Sequence, residues 1–115
     1  MSRDQVLYLL DIKESCEAIF EYLKDIESAQ DLVKDRKTYQ ATIREFEIIG
    51  EAVSHISKDI KEKFSDIEWR DIKDFRNLLI HEYFGVDYEI VYKTAKNDLE
   101  ILYITVNKIL KDYGV

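Results

Sequence analysis

The chain has no proline, three glycines, one cysteine and two histidines in 115 residues. Each scarcity excludes something. A chain so poor in breakers has few places to turn, so long helices are expected. The lone Cys16 cannot form an internal disulfide and rules out a cysteine-based zinc site, a usage that fits a reducing cytosol. No apolar run approaches the roughly 20 residues needed to span a bilayer. Met1-Ser2-Arg3-Asp4 lacks the charged-then-apolar layout of a signal peptide. The expectation is a soluble, cytoplasmic protein with no membrane partner. There is no phosphate-binding glycine loop, no dinucleotide fingerprint and no His-Glu-x-x-His pair. A Glu-x-x-His pair of the kind used by diiron bundles is missing too. Neither a cofactor nor a metal site is therefore expected.

What is present is a chain 46% hydrophobic and 36% charged, with a formal charge of −7. That length suits a single domain over residues 1–115, and the apolar share is enough for a core. The acidic balance argues against a non-specific nucleic-acid binder, while leaving room for a local basic site.

Apolar spacing places the helices. Leu9, Ile12, Cys16, Ile19, Leu23 and Ile26 recur at threes and fours after a Ser2–Gln5 capping box, which marks a first helix over residues 2–26. Cys16 belongs to that core stripe. A polar stretch over 27–36 hides a turn. Tyr39, Ile43, Phe46, Ile49, Val53 and Ile56 mark a second helix over 37–56, with Gly50 inside it. A mid-helix glycine costs about 1 kcal/mol relative to alanine, so close packing by another helix is the expected reason for it. A short helical piece follows over 57–64, and Ser65 with Glu68 reads as a second capping box. A third helix runs over 69–84 to Gly85, a natural C-terminal cap. Asp87 caps a fourth, lined by Tyr88, Val91, Ala95, Leu99, Leu102, Val106 and Ile109. Four long helices with short links and no strand pattern predict an all-α, up-and-down four-helix bundle.

The third helix is the anomaly. Trp69, Ile72, Phe75, Leu79 and Tyr83 form an apolar arc, and Arg76 falls inside it. A guanidinium there must be paired, snorkel outwards or line a cleft. Asn77 and His81 lie on the adjoining flank. Arg76 and His81 are five residues apart, about 140° around the axis, so they meet on one ligand only through the arginine's length or a second chain. His55 is expected in an ordinary surface or cap role, with lining the cleft as the alternative. From helix geometry alone, Arg76 paired with a buried acid and His81 satisfying a cap is the simpler account.

Read as a whole, Trp69-Arg70-Asp71-Ile72-Lys73-Asp74-Phe75-Arg76-Asn77-Leu78-Leu79-Ile80-His81-Glu82-Tyr83-Phe84-Gly85-Val86-Asp87 resembles the signature of HepT-like toxins. These are the HEPN partners in HEPN–MNT toxin–antitoxin pairs, with a motif R-x4-H-x-Y met here by Arg76, His81 and Tyr83. Glu47-Ile48-Ile49-Gly50-Glu51-Ala52 is similar to that group's second-helix motif. The resemblance implies a HEPN bundle that forms a homodimer and acts as a metal-independent endoribonuclease on mRNA or tRNA. It implies a minimal nucleotidyltransferase antitoxin as partner, with Tyr83 as the site of AMP transfer. Arg76 and His81 would be catalytic, with Asn77 assisting on the phosphate. The chemistry suits the residues: metal-free cleavage by the RNA 2′-hydroxyl needs a base and an acid, and histidine serves both near neutral pH. One motif histidine per chain leaves the second to a dimer mate. The alternative is a catalytically silent HEPN module that binds or dimerises with a nucleotidyltransferase.

Overall fold

A computed structural model of the chain describes residues 2–81 and 87–115. Their regular elements are all helices: α1 (Arg3–Tyr22), α2 (Ala29–Lys34), α3 (Arg36–Ser54), α4 (Lys58–Lys63), α5 (Trp69–His81), α6 (Tyr88–Lys93) and α7 (Leu99–Asp112). A π-helical turn, Thr94–Asp98, joins α6 to α7. The bundle is therefore all-α, and α1, α3, α5 and the α6–α7 unit supply its four long members. None of the described helices is long and apolar enough to cross a membrane.

The expected stripes form the core. Leu9, Ile12, Cys16 and Ile19 of α1 are fully buried against Ile49 and Val53 of α3 and Val106 and Ile109 of α7. Burial pushes the Cys16 thiol up to about 12, with a smaller push from Glu17, so it is a packing residue rather than a nucleophile. The α1–α3 seam also holds a polar clamp. Glu45 accepts from Ser15 at 2.9 Å and from the Tyr22 phenol at 3.0 Å. Ser15 is thus buried with its hydroxyl satisfied.

Three local expectations change. The polar stretch after α1 contains α2, capped by Ser28 and anchored by buried Ala29 and Leu32. Six residues are too few to show a stripe. The Ser2 hydroxyl caps α1 by accepting from Gln5 N at 3.3 Å, but Gln5 does not complete the box. Its amide donates to His55 O and accepts from Ser57 N, both at 2.7 Å, tying α1 to the α3–α4 junction. The Ser65–Glu68 box does not form either: Ser65 lies in a turn, and α5 begins at Trp69. Trp69 Nε1 donates to Phe64 O at 3.1 Å across that turn, and the Glu68 carbonyl accepts the first helical bond from Asp71 N at 3.0 Å. The Asp87 cap is present, accepting from Glu89 N at 2.9 Å. The Gly85 cap falls on residues outside those described.

Candidate active site

Helix α3 lies between α1 and α5, packed on both. Its outer face presents Arg44, Glu47, Glu51 and His55 at spacings of three and four, one helical stripe. That stripe floors a cleft of about 490 Å³, walled by Tyr8 and Asp11 of α1 and by Arg76 and Ile80 of α5.

Gly50 brings the two helices together there. A methyl group built on Gly50 would overlap Cβ and Cγ of Arg76 and come within 3.4 Å of its Cδ. The arginine stem therefore lies directly over the glycine, and close helix packing is the reason for that residue. The guanidinium then reaches Glu51, the next residue along α3. Its Nη2 donates to Glu51 Oε2 at 2.8 Å, and its Nη1 donates to Asn77 Oδ1 at 3.1 Å. Nε is buried and, among the described residues, has no hydrogen-bond partner. The apolar-arc position resolves into both sequence alternatives: Arg76 is paired with an acid and lines a cleft. That acid is half-exposed rather than buried, with 55% of the Glu51 side chain open to solvent.

Glu51 has a second partner. Its Oε1 lies 3.1 Å from His55 Nε2, so one carboxylate bridges the imidazole and the guanidinium. Tyr8 stacks on the His55 ring at 4.8 Å between centroids and 15° between planes. His55 thus holds both roles allowed for it, as C-cap of α3 and as cleft lining. The structure brings Arg76 and Asn77 together. His81 is the last described residue of α5; its side chain lies outside the described residues, as does Tyr83. Glu51 and Tyr8 were not singled out from sequence. The signal for Glu51 was its place right after Gly50 and one turn before His55.

The model of a known family, Ribonuclease HepT-like, matches residues 12–109. The chain belongs to that family. Related proteins agree across nearly their whole length. "Probable ribonuclease HepT" of Thermococcus cleftensis is 43% identical over 102 residues, covering 89% of this chain and 92% of its own. "Putative RNase TTE0752" of Caldanaerobacter subterraneus subsp. tengcongensis is 42% identical over 104 residues, covering 90% and 92%. "Putative RNase MJ1380" of Methanocaldococcus jannaschii is 40% identical over 97 residues, covering 84% and 88%. No solved structure matches the chain.

A second groove, of about 400 Å³, opens between α3, α5 and the π-helical turn. Its floor is apolar, with Phe46, Ile72 and Leu102, and its edge is acidic, with Asp66, Asp71 and Asp98. Among the described residues, neither histidine nor arginine lines it.

Proposed function

We propose that the chain is a metal-independent endoribonuclease and the toxin of a toxin–antitoxin pair. The observation that carries this reading is the state of Arg76. Its stem lies directly over Gly50, two guanidinium nitrogens are held by Glu51 and Asn77, and among the described residues Nε is buried without a partner. A planar, oriented guanidinium beside a cleft is suited to hold a scissile phosphate and stabilise charge that builds on it.

His81, five residues on, supplies the titratable group. In a homodimer, His81 and its mate would serve as base for the 2′-hydroxyl and acid for the departing 5′-oxygen. Asn77, bonded to Arg76, orients the guanidinium rather than acting alone. The antitoxin is a minimal nucleotidyltransferase, which silences the enzyme by transferring AMP from ATP to the Tyr83 hydroxyl, with pyrophosphate leaving. Such a modification would add a bulky anion that repels RNA.

The test is cleavage of total tRNA and mRNA in excess EDTA by wild type and His81→Ala. Cleavage by wild type alone is expected. Absence of cleavage by a folded dimer free of AMP would leave the silent binding module as the better account.

A further inference from the structure

Phosphate binding at Arg76 leaves one part of the cleft without a role. Tyr8 and His55 form a stacked aromatic pair on its wall, and neither ring is needed to hold the arginine stem. The pair is fixed from three sides. Gln5 ties the His55 carbonyl to α1, Glu51 holds His55 Nε2, and Tyr8 covers one face of the imidazole. Even so, 48% of the His55 side chain stays exposed. A rigid aromatic surface with one open side is what proteins use to receive an unpaired nucleobase.

Its position fits a nucleotide. His55 and Arg76 hold the two oxygens of the same carboxylate, so a base on the imidazole and its phosphate on the guanidinium can belong to one residue of RNA. Asp11 lines the same cleft, one turn along α1 from Tyr8. A carboxylate is an acceptor without a donor, so it pairs with an exocyclic amino group and repels a carbonyl oxygen.

We propose that the Tyr8–His55 pair is a nucleobase subsite beside Arg76, selective for a single-stranded base that carries an exocyclic amino group, cytosine, adenine or guanine over uracil. This rests on the ribonuclease reading of the cleft and adds a base preference to it. The acidic lining, awkward for a phosphate site, becomes the source of discrimination.

Fluorescence anisotropy with 2′-O-methyl dodecamers of cytidine and of uridine tests it, since neither can be cleaved through a 2′-hydroxyl. Wild type should bind the cytidine oligomer about 10-fold more tightly. His55→Ala should weaken both by about 10-fold, and His55→Phe should restore most of that loss, because stacking needs only a ring face. Asp11→Ala should bring the two affinities together. Both positions are exposed, so the variants should fold as wild type does. Equal binding of the two oligomers by wild type overturns the base preference. If Arg76→Ala weakens binding and His55→Ala does not, the subsite is wrong and the phosphate site stands. Failure of wild type to bind either oligomer, or indifference to both substitutions, sinks the RNA reading of this cleft as well.

Discussion

Gly50 and Arg76 occupy one packing site: a side chain on the first would fill the space of the second's Cβ and Cγ. Gly50→Ala therefore sets two effects against each other. Alanine favours the helix by about 1 kcal/mol. Overlap with the rigid base of another helix's side chain costs about 1–3 kcal/mol. The overlap involves atoms next to the α5 backbone, which cannot swing away, so a net loss of up to about 2 kcal/mol is expected. Thermal denaturation decides the matter: a stabilised variant would show that the two helices separate freely.

Arg76→Lys keeps the charge and loses the planar fork. Its donors radiate from a single nitrogen, so it cannot reproduce the spread, planar geometry with which Nη2 and Nη1 hold Glu51 and Asn77. RNA cleavage should fall by about 10²–10³-fold, the usual effect of removing an oriented transition-state donor. Near-wild-type kcat/KM in this variant would reduce Arg76 to a point charge.

Glu51→Gln removes the carboxylate that competes with substrate for the guanidinium. The pair is partly exposed, with side chains 29% and 55% open, so stability should change by only about 0–1 kcal/mol. Binding of a non-cleavable RNA should tighten severalfold. Weaker binding instead would make Glu51 a residue that positions Arg76 rather than one that guards it.

Cys16 gives the stability a pH signature. Its thiol ionises near 9.0 in the open chain and is pushed up to about 12 by burial. The fold thus favours the neutral thiol. The stabilisation is complete below about pH 9 and is lost progressively as pH rises towards 12, at about 1.4 kcal/mol per pH unit. Urea titrations between pH 8 and 11 should show this decline, and Cys16→Val should flatten it. The native protein should also resist thiol reagents until it unfolds.

The long helices were legible because burial leaves a period in the sequence. Leu9, Ile12, Cys16 and Ile19 all reach zero exposure as their spacing implies. Gly50 was legible through its cost, which demanded a neighbour, but the identity of that neighbour was not. Helix α2 escaped because Ala29 and Leu32 are two positions, too few to define a stripe. The site was half legible. Arg76 stood out as a cation on an apolar arc, whereas Glu51 and His55 sit on a polar face that reads as ordinary solvated helix. Only the crossing of α3 and α5 converts that face into a cleft wall. Gln5 shows the same limit: its spacing from Ser2 fits a local box, yet its side chain is spent on a contact fifty residues away.

Helix α5 makes its principal contacts with α3, while α3 is gripped as well by α1 and α2. The element that carries the arginine is thus fastened chiefly at its crossing with α3. Such an element behaves as its own cooperative unit, able to lift at less than the cost of global unfolding. Its amides should exchange with deuterium ahead of those of α1 and α3. The Arg76–Glu51 pair exists only while that crossing is shut. A protein that levered α5 outward would disarm the enzyme without touching a reacting atom.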